Sequence, residues 1–416
     1  MTRKELSWAM YDWANSAYFT TVVAGFFPVF LNTYWSDSAT KGITTQRLGV
    51  ALLIMNLLLA LVSPLLGTIS DFRASKKKFI FIFMVVGTLA TSGLFFLSQG
   101  DWFTAIILYS VSTFCASGTA VFYDSMLVSV TKPERYNKIS SFGYAMGYLG
   151  GGLLFAINLV MVLKPQLFGL EFNHEAVRYS FITVAVWWFV FTLPLMFFVE
   201  EPEVTKNTEP LGKLLKHAIR ELKKIFLEIY QQKNIFWFLV AYWFYIDGLG
   251  TVVSMAVNYG MELNFDSAVL MTALLVVQFV GFPASMFMGK LADKFGNKRA
   301  IMLCLSIYVM VIIGAPQMTE SRHFYILAVC LGLAQGGAQA LSRSLFALLI
   351  PKEKSGEYFG FFNLLGKFAS FMGPGLMALA TYASGEPRYS ILSLLILFGL
   401  GIFFLTKVQS PKKINT

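Results

Sequence analysis

An all-α membrane protein with twelve transmembrane helices in two six-helix halves is the fold this sequence predicts, and three observations predict it. The first is composition. The chain has 416 residues, of which 56% are hydrophobic and only 13% charged, and its mean hydropathy is +0.63. An ordinary soluble protein is about 25% charged. The second is charge placement. Lys and Arg gather in alternate loops, which explains the net charge of +10 without a nucleic-acid partner. The third is an internal repeat. Gly67-Thr-Ile-Ser-Asp71 returns as Gly289-Lys-Leu-Ala-Asp293, offset by 222 residues. Together they exclude a soluble globular enzyme, a disordered chain and a nucleic-acid-binding protein.

A bilayer-crossing helix needs about 20 mostly apolar residues. Apolar runs between charged or Gly/Pro punctuation predict spans one to six at 9–34, 48–70, 79–98, 102–128, 139–163 and 178–199. Spans seven to twelve follow at 235–260, 268–289, 299–318, 323–349, 357–383 and 389–406. Span one follows two basic residues. It is too long for the apolar core of a secretion signal and has no A-x-A site after it, so it reads as retained. Spans two and three flank the charged loop from Asp71 to Lys78. Span four ends before Lys132-Pro133-Glu134-Arg135, which has a counterpart after span ten in Pro351-Lys352-Glu353-Lys354. Span five carries Gly143, Gly147 and Gly151, and span eleven Gly366, Gly373, Pro374 and Gly375. Small residues at such spacing let helices approach closely.

Cytoplasmic loops are enriched in Lys and Arg. With both termini cytoplasmic, the inner segments hold 25 of the 33 basic residues and the outer loops six. The expected organisation is a first bundle at 1–199, a cytoplasmic linker at 200–234 and a second bundle at 235–416, in the inner cell membrane. In the linker, Leu211, Leu215, Ala218, Leu222, Ile225 and Ile229 step by four and three, with Lys213, Lys216, Arg220, Lys223 and Lys224 around them. That pattern is an amphipathic helix lying on an anionic leaflet, as a tether between halves or as a regulatory element.

A charge at the bilayer centre costs about 2.5–3.5 kcal/mol on insertion scales, so it needs a partner or a function. Spans one, four, seven, ten and eleven carry Asp12, Asp124, Asp247, Arg343 and Lys367. Each has polar company at helical spacing. Gln335 and Gln339 precede Arg343, and Trp243, Thr251, Ser254 and Asn258 align with Asp247. Thr113 and Ser117 precede Asp124, Asn15 and Ser16 follow Asp12, and Asn363 and Ser370 flank Lys367. Such stripes line a cavity or bind a neighbouring helix. At ~1.5 Å per residue, Asp247 and Lys367 lie roughly 17–18 Å from their cytoplasmic ends, near the midplane. Asp12, Asp124 and Arg343 lie roughly 5–9 Å from that side. The first pair is therefore read as a substrate or proton site. The second set is read as a gate between the halves, and static charge compensation is the competing reading. Trp13, Tyr18, Tyr242, Trp243 and Tyr245 stand beside these stripes, as substrate contacts or as packing. Cys115, Cys304 and Cys330 fall in apolar runs, and His174, His217 and His323 have no ligand spacing. No metal and no cofactor are expected.

The doubled loop, with Lys298 and Arg299 closing its second copy, resembles the G-x-L-A-D-x-x-G-[RK]-[RK] signature of the major facilitator superfamily. The first copy departs from it at Ala74 and Ser75. A narrower likeness lies in Trp8-Ala-Met-Tyr11-Asp12-Trp13-Ala14-Asn15, Val121-Phe-Tyr-Asp124, Gly143-Tyr-Ala-Met-Gly147, Gln335-Gly-Gly-Ala-Gln339-Ala-Leu-Ser-Arg343 and Gly360-Phe-Phe-Asn363-Leu-Leu-Gly366-Lys367. These resemble the vacuole-effluxer-like branch of that superfamily. The resemblance implies the major facilitator fold, with spans one, four, seven and ten around a central cavity. It also implies a secondary transporter working by alternating access, and the fungal members' amino-acid export favours an amino acid. Asp71 and Asp293, with Lys298 and Arg299, would form a conformational latch at helix N-termini. A site between the halves is the general expectation for six-plus-six repeats. Asp247, Lys367, Gln335, Gln339, Asn363, Trp243 and Asn15 are the expected substrate or proton residues, and Asp12, Asp124 and Arg343 the gate. The partners expected are a small polar or zwitterionic solute, the lipid bilayer and a proton, with the protein a monomer and no nucleic acid involved. An amphiphile such as a lysolipid is the alternative substrate. A membrane sensor or intramembrane enzyme is the alternative of another class.

Overall fold

The computed structural model describes residues 1–36, 41–73, 75–201, 211–262, 265–368 and 372–409. Among these, 12 helices are long and apolar enough to cross a membrane. Spans one to six are Arg3–Trp35, Gln46–Phe72, Lys76–Phe96, Trp102–Ser125, Pro133–Leu163 and Asn173–Phe198. Spans seven to twelve are Lys233–Ala256, Val269–Phe295, Asn297–Gln317, Ser321–Leu349, Lys352–Ser384 and Arg388–Lys407. An even number of crossings returns both termini to one face, called the terminal face below. Gln409 and Asn234 meet there, their backbone and side chain exchanging hydrogen bonds of 2.7 and 3.1 Å.

Span one begins earlier than hydropathy indicates. Thr2 and Glu5 form a capping box, with Thr2 Oγ1 accepting from Glu5 N at 3.2 Å and Thr2 N donating to Glu5 Oε2 at 2.8 Å. Two orphan N–H groups are thereby satisfied, which lets the helix start at Arg3 among polar residues. Beyond Ala17 it widens into a π-helical stretch, Tyr18–Phe26. Span eleven, expected over 357–383, runs over Lys352–Ser384, and 369–371 within it lie outside the described residues. Its described residues form two helices, Ser355–Phe368 and Met372–Ser384.

Two large apolar cores result among the described residues, with a small third cluster of Ile69 and Ala218. One joins Trp8, Phe122 and Tyr136 of the first half to Tyr245, Phe346 and Phe359 of the second. The other surrounds Phe27, Trp35, Tyr109 and Trp188, where Phe27 and Tyr109 stack with centroids 3.8 Å apart. Outward-facing apolar side chains such as Leu61, Phe197 and Met310 are exposed, as lipid contact requires.

The linker forms the helix Leu211–Gln231. Ala218, Ile225 and Ile229 are buried as the periodicity requires, while the side chains of Leu211 and Leu215 lie outside the described ones, as does the segment 202–210. Glu228 accepts from Lys354 Nζ at 2.8 and 3.0 Å and from Tyr358 Oη at 3.2 Å. The linker helix is thus tied to the start of span eleven. Glu201, just before the linker, accepts from Lys77 N at 2.7 Å. Burial raises its carboxyl above the usual range, partly offset by this bond and by Lys76 and Lys77.

At the terminal face, spans two and eleven touch backbone to backbone. A Cβ on Gly67 would strike the Gly356 carbonyl oxygen, and one on Gly356 would sit 2.7 Å from the Gly67 oxygen and 2.6 Å from Asp71 Oδ1. Overpacking such a contact costs about 1–3 kcal/mol. Gly356→Val is expected to lower the thermal midpoint of the solubilised protein. Gly399→Val, where nothing lies within 4 Å, should leave it unchanged.

Candidate functional site

The cavity between the halves is built from the polar stripes of spans one, four, five, ten and eleven. It encloses about 470 Å³. Its floor, on the terminal side, is an ion cluster. Arg343, 1% exposed, comes from span ten, and its acidic partners come from the first half. Its Nη1 lies 3.0 Å from Asp124 Oδ1 and its Nη2 3.3 Å from Asp12 Oδ2. Nε donates to Ser140 Oγ at 2.9 Å and Nη2 to the Ser140 carbonyl at 3.0 Å. Tyr123 Oη donates to Asp12 Oδ2 at 2.7 Å. The guanidinium also lies over the rings of Tyr144 and Trp8, 4.5 and 4.8 Å from their centroids. A buried charge is tolerated when it is both paired and hydrogen-bonded, and each of the three nitrogens of this guanidinium donates to the first half.

Gly143 makes the room. A Cβ there would lie 2.5 Å from Asp12 Oδ2 and 3.2 Å from Arg343 Nη2. The stripe of glycines on span five therefore faces span one and the ion cluster together.

Above the floor, Asn15, Gln335, Gln339, Asn363 and Lys367 all line the cavity. Asn15 Nδ2 donates to Tyr11 Oη at 3.1 Å. Asn363 Nδ2 donates to the Phe359 carbonyl at 3.0 Å, and the Asn363 side chain is also a hydrogen-bonding neighbour of Asp124. Gln335 Oε1 is buried with no hydrogen-bond partner. On the side away from the terminal face, Gln278 Nε2 of span eight donates to Thr20 Oγ1 of span one at 2.5 Å.

Two expected site residues sit elsewhere. Among the described residues, Asp247 and Trp243 do not line this cavity. Asp247 is 1% exposed, and its Oδ2 accepts from Gly373 N at 3.0 Å, while Thr251 Oγ1 donates to Oδ1 at 3.3 Å. Gly373 lies in the first described turn of Met372–Ser384, and its N–H donates to the Asp247 carboxylate. The stripe on span seven thus binds a neighbouring helix. Trp243 packs on Phe244 with its Nε1 buried and unpartnered. The side chain of Asn258 and the whole of Ser370 lie outside the described residues. Of the flanking aromatics, Trp13 stacks on Trp187 at 5.4 Å, Tyr18 Oη is bonded to Ser112 Oγ at 2.6 Å, and Tyr245 Oη to Ser342 Oγ at 2.6 Å. Tyr242 alone of the five faces the cavity.

The repeated loops meet the other half in two chemistries. Asp71 Oδ2 accepts from Glu357 N at 3.0 Å, at the start of span eleven, and Asp71 Oδ1 pairs with Lys76 Nζ at 2.9 Å. Lys76 also donates to Ser355 Oγ at 2.9 Å. Ala74, between them, lies outside the described residues. Asp293 instead accepts from the Asn137 amide at 3.0 Å. Asn137 and Asn297 exchange hydrogen bonds of 3.0 and 2.6 Å, and Ser344 Oγ donates to Asn137 Oδ1 at 2.7 Å. Lys298 does not join this contact. It donates to the carbonyls of Thr406 and Val408 at 2.7 and 2.8 Å, at the end of span twelve, where a cation meets the negative pole of a helix. Arg299 is exposed.

Sequence reasoning missed Asn137, Asn297, Ser140, Tyr144 and Gln278. Asn137 and Ser140 lie one turn apart at the start of span five, and Tyr144 one turn further. That spacing was the available signal, hidden beside the glycines.

Residues 51–416 match the family described as vacuole effluxer Atg22 like. The chain belongs to this family. It is 39% identical over 420 residues to an uncharacterized MFS-type transporter, YxiO, of Bacillus subtilis, covering 100% of this chain and 96% of that relative. Autophagy-related protein 22 of Eremothecium gossypii is 25% identical, over 92% of this chain and 81% of its own. In structure, the human organic anion transporter MFSD10 superposes with a TM-score of 0.72 at 14% identity, covering 97% of this chain and 99% of its own. The protein is accordingly an MFS-type transporter of the Atg22-like family, a multi-pass membrane protein and not an enzyme.

Removing one partner from a buried ion cluster costs about 3–5 kcal/mol. Arg343→Gln is therefore expected to lower the thermal midpoint sharply. Combining it with Asp12→Asn and Asp124→Asn should restore part of the loss. A multiple-mutant cycle read by thermal unfolding checks this.

Proposed function

We propose that this transporter moves a small zwitterionic solute, amino acids first, by alternating access, with the proton as coupling ion. The observation that carries the reading is the polar lining of the cavity. Lys367 offers an ammonium for a carboxylate, and the amides of Gln335 and Gln339 offer acceptors for a substrate amine. The volume of about 470 Å³ falls in the range of about 300–1,000 Å³ usual for small-molecule sites. Gln339, Asn363 and Asn15 complete the lining.

The ion cluster of Arg343, Asp12 and Asp124 is the gate on the terminal face, since its members come from opposite halves and floor the cavity. Asp124 and Asp12 face both the guanidinium and the cavity, so substrate arrival and carboxylate charge act on one group. That supports proton coupling through these carboxylates, with Asp247 positioning span eleven. Asp71 and Asp293 hold the two outer contacts of the closed face and act as its latch, with Lys298 anchoring span twelve beside it. The 25-to-6 division of basic residues supports a cytoplasmic terminal face, bundles at 1–199 and 235–416 joined by 200–234, and residence in the inner cell membrane as a monomer.

The test is uptake of radiolabelled amino acids into liposomes holding only this protein, with and without a pH gradient. Saturable, gradient-dependent uptake is expected. A hydrogen bond to a charged group is worth about 1.5–3 kcal/mol, so Lys367→Gln should reduce uptake by about ten- to a hundredfold, with the fold retained by thermal unfolding. Undiminished uptake by that variant overturns the site assignment. Thermal stabilisation by lysolipids and by no amino acid would move the substrate to amphiphiles.

A further inference from the structure

A second cavity lies on the outer surface at the terminal side, where the linker helix crosses the seam between the halves. It encloses about 510 Å³ and is lined by Leu61 and Pro64 of span two, Phe361 and Leu364 of span eleven, and Ile219 and Phe226 of the linker helix, with Lys223 at its edge. Its apolar side chains are uncovered, Leu61 and Phe226 being 62% exposed and Leu227 57%. Leu61 and Leu364 belong to membrane-spanning helices, so the surroundings of the groove are hydrocarbon on that side. On the other side the linker helix presents Arg220, Lys223 and Lys224, all exposed. Apolar walls with a basic rim are complementary to one kind of occupant, an anionic amphiphile already resident in that leaflet.

The placement gives such an occupant a consequence. The groove has walls from both halves, and its floor is the seam itself. A Cβ on Gly360 would lie 2.7 Å from Pro64 Cα, so spans two and eleven are in backbone contact directly beneath it. The linker helix is tied to the same place through Glu228 and Lys354. A groove shared by two bodies exists only while they are together. We infer that it is a binding site for the acyl chain of an anionic phospholipid, with the headgroup at Lys223 and Arg220, and that the bound lipid favours the state closed at the terminal face. A ligand with higher affinity for one of two states shifts the population toward it.

The inference uses two conformations of the transporter but no substrate, and its readout is independent of transport. Spin labels at Glu134→Cys and Glu353→Cys, two exposed positions in opposite halves, report the width of the terminal face, with Cys115, Cys304 and Cys330 replaced by alanine. Full-length protein is placed in nanodiscs of phosphatidylcholine alone or mixed with phosphatidylglycerol. Phosphatidylglycerol is expected to shift the distances toward the short population and to raise the thermal midpoint. Loss of one basic contact weakens lipid occupancy roughly fivefold, so Lys223→Glu should shrink the shift, and Phe226→Ser should remove it, with behaviour in pure phosphatidylcholine unchanged. Equal distances in the two lipids overturn the inference. So does a shift that persists in both variants, which would be a general effect of bilayer charge, and so does full reproduction of the shift by free oleate in place of the phospholipid.

Discussion

Contact between the halves at the terminal face centres on one guanidinium held between two carboxylates of the other half. Arg343 is carried by span ten, and Asp12, Asp124 and Ser140 by spans one, four and five. Desolvating a cation of this size is costly in isolation. Its position is therefore possible only where partners converge, and their convergence brings four helices to fixed places. Gly143 is small because the cluster passes beside it, Tyr123 is oriented by Asp12, and the floor of the cavity is defined by the same atoms.

Much of this architecture was legible in the chain. Twelve apolar runs, the alternation of basic loops and the doubled Gly67 and Gly289 loops are properties of local sequence, and membrane insertion makes local sequence decisive. The pairing of Arg343 with Asp12 and Asp124 was also within reach, because charges in hydrocarbon are few and their depths limit the choices. Asp247 and Lys367 share a depth as well, yet their surroundings differ. Depth is a one-dimensional coordinate. It says nothing about which way a stripe points, and the stripe on span seven points at the first described turn of Met372–Ser384. Lys298 was unreadable for a similar reason. A basic residue in a repeated motif and a basic residue at the end of another helix look alike until the fold brings Thr406 and Val408 beside it. The early start of span one followed a different rule, since the Thr2 and Glu5 capping box acts through backbone donors that hydropathy does not record.

The family assignment and the cavity address different levels. The first rests on matched sequence along most of the chain and establishes the class of protein. The second rests on side chains that vary within a fold, and a fold hosts many functions. Lys367, Gln335 and Asn363 line that cavity and carry the proposed specificity, whereas the glycines at 67, 356 and 360 are where the two halves come into close contact.

The contact through Asn137, Asn297, Asp293 and Ser344 has a further consequence. Its central pair is made of amides, each both donor and acceptor, and Asn137 sits where water has access beside the exposed Asp293. When such a pair separates, each amide exchanges one neutral partner for water, a net change of only about 0.5–1.5 kcal/mol per bond. Separating Arg343 from its carboxylates exposes unlike charges that had been shielded from solvent. The amide pair therefore adds little to the work of parting this face, which falls on the charged contacts, Arg343 with its carboxylates and Asp71 on Glu357 N. Ionisation can loosen or tighten the charged contacts, whereas the amide pair parts at the same small cost in any charge state.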